Sequence, residues 1–238
     1  MPLTALLDGA VLAERTGDSP RVLALHGWGR TRTDWLPALH DLPALAADLP
    51  GFGASPAPPR AWGSRDYAEL LVPVLEGGGW TVAGHSFGGR VAVQLAAGWP
   101  ELVSRLVLTG VPLLPSSGTA KAPLAYRLAK RGRALGLVSE AAMEQQRRKH
   151  GSADYRAAQG VMRDTLVRLV NEEYRDLLPR ITAPVDLVWG AHDTAAPLDM
   201  VRKASGLFAQ AELTVSPTSG HLLDEALHSL LRERLCAG

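Results

Sequence analysis

Short, nearly unbroken apolar runs recur along the chain, and each ends in glycine or a polar turn. Val22-Leu23-Ala24-Leu25 leads into His26-Gly27-Trp28-Gly29, Trp80-Thr81-Val82-Ala83 into Gly84-His85-Ser86, and Val185-Asp186-Leu187-Val188-Trp189 into Gly190-Ala191-His192-Asp193. Runs of this length bounded by turn residues read as buried strands. Strand-like residues at 3–7, 11–15, 21–25, 45–49, 80–84 and 105–109 alternate with helix-like residues at 33–39, 64–75 and 87–98. Beyond residue 183 the alternation resumes with two strands and two helices. The pattern predicts an α/β fold: a mostly parallel sheet with helices on both faces, after an antiparallel start. Between 113 and 180 it changes to polar, helix-like sequence, with helices expected at 121–135, 139–149 and 153–178. The expected organisation is therefore an α/β core in two parts, 1–112 and 181–238, around an inserted helical cap at 113–180.

The junction at residues 84–88 carries the chemistry. Gly84-His85-Ser86-Phe87-Gly88 is a Gly-x-Ser-x-Gly run between a strand-like and a helix-like stretch. A turn that sharp strains its central residue and brings backbones too close for side chains at the flanks. Ser86 then stands above the sheet as a nucleophile, and the N–H of Phe87 opens a helix where it can face a developing oxyanion. Such a nucleophile needs an acid and a base later in the chain. Asp193 follows the strand at 185–189, and His221 precedes the last helix in Ser219-Gly220-His221. One βαβ unit separates the two, so neighbouring parallel strands bring both loops to one edge. The N–H of Trp28, in the turn after the strand at 22–25, is the candidate second oxyanion donor.

Together with Asp48-Leu49-Pro50-Gly51-Phe52-Gly53-Ala54-Ser55, these motifs resemble those of the α/β-hydrolase superfamily, in the right order from about Val22 to the C-terminal helix. The resemblance implies a serine hydrolase of esters or thioesters acting through an acyl-enzyme, with Ser86, Asp193 and His221 catalytic, Trp28 and Phe87 as oxyanion donors, and no cofactor. His26-Gly27-Trp28-Gly29, the 48–53 segment and a basic cap are similar to the group that demethylates pimeloyl-acyl-carrier-protein methyl ester. Gly88-Gly89-Arg90 instead resembles the elbow of a menaquinone-pathway lyase, in which the matching arginine binds a substrate carboxylate and the triad abstracts a proton. Trp28 and Arg90 are accordingly the candidate substrate-binding residues. Some members of the superfamily are receptors or adaptors without turnover, and the full set of triad candidates argues against that here.

Composition narrows the rest. A net charge of +1 over 238 residues argues against bulk binding to nucleic acid. No apolar run approaches the roughly 20 residues needed to span a bilayer, and the N-terminus lacks a basic, apolar leader, so a soluble cytoplasmic protein is expected. The single cysteine, Cys236, has no internal partner for a disulfide. Histidines and cysteine show no paired ligand spacing, so no metal is expected. The cap is basic, with Arg127, Lys130, Arg131, Arg133, Arg147, Arg148 and Lys149 clustered in it. Either these are solvated helix faces or they attract an anionic substrate or an acidic acyl-carrier protein. Of the remaining histidines, His26 is expected to fix loop geometry, His85 to pack or line the pocket, and His192 to be a poor base because it shares the acid's loop.

Overall fold

The computed structural model describes residues 3–115, 139 and 153–237. In chain order the strands are β1 (Leu3–Leu6), β2 (Val11–Thr16), β3 (Val22–Leu25), β4 (Ala44–Asp48), β5 (Trp80–His85), β6 (Val103–Thr109), β7 (Val185–Gly190) and β8 (Ala211–Ser216). The helices are α1 (Leu36–Leu39), α2 (Ser64–Leu71), α3 (Phe87–Gly98), α4 (Ala153–Ala157), α5 (Gly160–Leu169), α6 (Leu198–Ser205) and α7 (Glu225–Cys236). The strands form one eight-stranded sheet in the order β1-β2-β4-β3-β5-β6-β7-β8. β1 and β2 enter antiparallel, and every later pairing is parallel. The antiparallel start and parallel remainder agree with the pattern of apolar runs.

Each central strand feeds two apolar layers because successive side chains point to opposite faces. Leu23, Leu25, Val82, Leu106, Leu108, Leu187 and Trp189 join the layer under α2, α3 and α6. Their neighbours Val22, Ala24, Ala83, Val107 and Val188 join the other. That second layer is alanine-rich, and Leu227, Leu231 and Leu235 of α7, at helical i, i+4, i+8 spacing, pack on it beside Trp35. Because β3, β5, β6, β7 and β8 are parallel, the loops after them all leave the same edge of the sheet. That edge receives Trp28, Ser86, Gly110, Asp193 and His221.

Two helix expectations change. The helix expected at 64–75 stops at Leu71 and tightens into a 3-10 turn at Val72–Leu75, where Pro73 cannot donate a backbone hydrogen bond. The helix expected at 153–178 is broken into α4, α5 and a 3-10 turn at Leu178–Arg180. Gln159 is extended and Gly160 has φ +49°, which separates α4 from α5. After α5 the chain turns so that Tyr174 and Leu178 enter the main core. The helices expected at 121–135 and 139–149, and the basic cluster on them, lie outside the described residues apart from Ser139.

Candidate active site

The elbow is built from close backbone contacts. Ser86, between β5 and α3, has φ +49° and ψ −109°, a conformation that L-residues avoid. Its N–H is held by the carbonyl of Thr109 at 2.9 Å. The glycines around it have steric reasons: a Cβ on Gly84 would lie 2.5 Å from Gly89 Cα, and one on Gly88 would lie 2.3 Å from the carbonyl oxygen of Leu25. The Gly88 N–H donates to His26 O at 3.0 Å, so the first turn of α3 is fastened to the end of β3. Phe87 is the first residue of α3, where a backbone N–H has no intrahelical acceptor.

Three side chains meet above this turn. His221 Nδ1 lies 2.9 Å from Asp193 Oδ2, and His221 Nε2 lies 3.2 Å from Ser86 Oγ. The carboxylate can only accept, so the proton sits on Nδ1 and the Nε2 lone pair faces the serine. Asp193 is buried and fully engaged, its Oδ1 accepting from the N–H groups of Ala195 at 2.9 Å and Ala196 at 2.7 Å. It therefore acts as a fixed acceptor that sets the imidazole's tautomer and orientation. Gly110, with φ +60°, lies against this pair: a Cβ there would come within 3.1 Å of the His221 ring and 3.3 Å of Asp193 Oδ2. Gly110 went unremarked in the sequence, where its only signal is a glycine ending a β-strand.

On the other side of the elbow, Gly27–Arg30 is a turn closed by Arg30 N–H to Gly27 O, with Gly29 at φ +67°. Trp28 is its second residue, and its N–H takes no part in that closing bond. The Trp28 ring stands edge-on to Phe52 at 4.8 Å and to Phe87 at 5.6 Å, and Tyr67 meets Phe87 at 5.1 Å, so aromatic side chains surround this turn. Behind it, His26 is buried, accepts from Leu49 N–H at Nε2 and donates from Nδ1 to Gly27 O. Burial lowers its pKa and keeps it neutral, as a loop-fixing role requires. Asp48 is also fully buried and binds Arg32 through its N–H and guanidinium, together with the N–H of Ala54. It is a structural acceptor and stands apart from His221.

Arg90, a candidate substrate-binding residue, is engaged with protein groups. Its guanidinium donates to the carbonyl of Leu169 at the end of α5 and lies 5.6 Å from the centre of the Tyr174 ring. It borders a cavity of about 410 Å³ that Leu113, Glu172, Ala195 and Met200 also line. His192 is exposed, and its backbone N–H donates to Ser219 O. His228 is half-buried and bonded through Nε2 to Asp34 O. Among the described residues no group of three His, Cys, Asp or Glu side chains is arranged to hold a metal ion.

The sequence profile of the alpha/beta hydrolase family matches residues 22–230. A pimeloyl-[acyl-carrier protein] methyl ester esterase of Aromatoleum aromaticum is 28% identical over 231 residues, covering 85% of this chain and 91% of that protein. An esterase of Mycobacterium tuberculosis is 43% identical over 115 residues, which is 43% of this chain and only 37% of the esterase. Among solved structures, an esterase from Exiguobacterium antarcticum superposes with a TM-score of 0.73 at 21% identity, covering 99% of this chain and 97% of that one. At that identity the likeness concerns the fold.

Proposed function

The chain belongs to the alpha/beta hydrolase family, and from that premise we propose that it is a serine esterase cleaving carboxylic esters or thioesters through an acyl-enzyme. The observation that carries this reading is a strained Ser86 whose hydroxyl lies 3.2 Å from His221 Nε2, with Asp193 2.9 Å behind the same ring. In the proposed mechanism Ser86 Oγ attacks the carbonyl carbon while His221 Nε2 takes its proton. Asp193 stabilises the resulting imidazolium, and the N–H groups of Phe87 and Trp28 hold the tetrahedral oxyanion. The imidazolium then gives its proton to the leaving alcohol. Water, deprotonated by the same ring, attacks the acyl-serine, and the acid leaves with Ser86 restored. A nucleophilic serine and an internal base complete this cycle with no bound cofactor.

Trp28, Phe52 and Phe87 beside the oxyanion turn support an apolar acyl or alcohol group on the substrate. Because the Arg90 guanidinium is committed to Leu169 and Tyr174, the reading assigns no substrate carboxylate to it. Steady-state turnover of a graded panel of p-nitrophenyl esters tests the proposal. His221→Ala is expected to lower kcat by about 10⁶-fold, the scale at which losing the general base alone costs as much as losing all three residues. Retained turnover in His221→Ala, with loss in His192→Ala, would overturn the assignment of the base.

A further inference from the structure

His85, the residue before the nucleophile, reaches back to the base. Its ring is buried, and Nε2 lies 2.9 Å from the backbone carbonyl oxygen of His221. A carbonyl only accepts, so Nε2 carries the proton and Nδ1 is a bare lone pair. That Nδ1 is buried without a partner. The ring has close neighbours on two sides, and only a glycine at 27 leaves room for it. A Cβ on Gly27 would lie 2.7 Å from His85 Nδ1, and the His221 ring stands 5.0 Å away, tilted by 48°. An unpartnered buried polar atom is costly, so a ring kept in this place calls for an explanation. The loop that carries His221 is otherwise tied down away from the base itself, through Ser219 Oγ to Ser216 and Asp224 and through Ser219 O to the His192 N–H.

We propose that His85 is a positioning residue: its Nε2–H holds the main chain of His221 so that the base's Nε2 stays within reach of Ser86 Oγ. The inference rests on the esterase reading above. Geometry gives it leverage, because His85 and Ser86 are adjacent in the elbow and one hydrogen bond therefore registers the base's backbone directly against the nucleophile's. The serine–imidazole separation of 3.2 Å is already at the long end of a hydrogen bond, leaving little tolerance for drift of the His221 loop. His85 is also held neutral, since burial pushes its pKa down to about 4, and so it adds no second cation beside the imidazolium formed on His221.

The test compares His85→Gln, His85→Leu, His85→Asn and Ser86→Ala in the full-length protein with p-nitrophenyl butyrate. A glutamine amide reaches the place of histidine Nε2 and keeps the donor. Asparagine ends near Nδ1 and leucine has no donor, so neither can reach His221 O. His85→Leu and His85→Asn are expected to lose on the order of 100-fold in kcat, the scale of a misplaced reacting group, with KM within about twofold of wild type. His85→Gln is expected to recover most of that loss. Should His85→Leu not fold, the Gln and Asn pair carries the comparison alone. Wild-type kcat in His85→Leu or His85→Asn, or an equal loss in His85→Gln, overturns the positioning role while an inactive Ser86→Ala leaves the esterase reading standing. Turnover by Ser86→Ala overturns both.

Discussion

Ser86 carries a backbone strain on the order of 1–3 kcal/mol, because φ +49° with ψ −109° is open to glycine and closed to side chains. Ser86→Gly is therefore expected to be inactive yet to unfold at higher urea than wild type, by up to about 1 kcal/mol after glycine's entropy is deducted. An unchanged or lower midpoint would mean that the turn stores no strain. Two neighbouring histidines give a second expectation. His26 and His85 have folded-state pKa values below the ordinary histidine value because burial disfavours their charged forms. Above about pH 6.5 both folded and unfolded states hold them neutral and they contribute nothing to the pH dependence. As pH falls toward about 4, the unfolded chain takes up protons that the folded His85 refuses, so stability is lost across that window, by at most about 3 kcal/mol for His85. Thermal melts between pH 7 and 4 in wild type and His85→Gln should show a steeper fall in wild type, and parallel curves would contradict the assignment. Ser86, Asp193 and His221 were legible because each sits in a local signature after a strand-like run. The hydrogen bond from His85 was not, since it depends on a carbonyl 136 positions away in the chain.

At the level of elements, the site depends on how closely α3 meets β3 and how α5 is fastened to α2. Gly88→Ala would place a methyl group 2.3 Å from the Leu25 carbonyl oxygen, a backbone atom that no rotamer change can move. It is expected to destabilise the fold by several kcal/mol, on the order of 3, and to abolish turnover. A urea midpoint near wild type would show that the elbow has room to spare. The second junction is polar. The Glu172 carboxylate accepts from Ser64 N–H at the start of α2 and from the Tyr174 hydroxyl at 2.5 Å, and Tyr174 also reaches Ser64 Oγ at 3.1 Å. An anion at a helix N-terminus with charge-assisted hydrogen bonds stabilises by about 1–2 kcal/mol, and Glu172→Ala should lose that amount in chemical denaturation. This junction explains why the helix ends at Leu169 and does not run on to 178. The chain leaves α5 at Leu169 so that Glu172 and Tyr174 reach α2, and helical periodicity carries no trace of a partner 108 residues away.

Over the whole molecule, the strand order gathers the loops after β3, β5, β6, β7 and β8 at one edge, and that convergence brings Ser86, Asp193 and His221 together from three distant parts of the sequence. The layered architecture was readable because central strands with two buried faces leave continuous apolar runs. Among the described residues no helix is long and apolar enough to cross a membrane. The acidic acyl-carrier partner that the sequence leaves open belongs to this scale as well. If the basic residues between 121 and 149 steer such a partner, kcat/KM for an acyl-carrier-linked ester should fall steeply with salt while a small neutral ester hardly responds, since the Debye length is only about 8 Å at physiological ionic strength. Equal, flat profiles would contradict a carrier partner. The central claim, a covalent serine nucleophile at the elbow, is tested most directly by mass spectrometry after reaction with a fluorophosphonate. The account requires one adduct on the peptide containing Ser86 in wild type and none in Ser86→Ala; an adduct that persists in Ser86→Ala, or ester turnover by a wild-type protein that takes up no label, would contradict it.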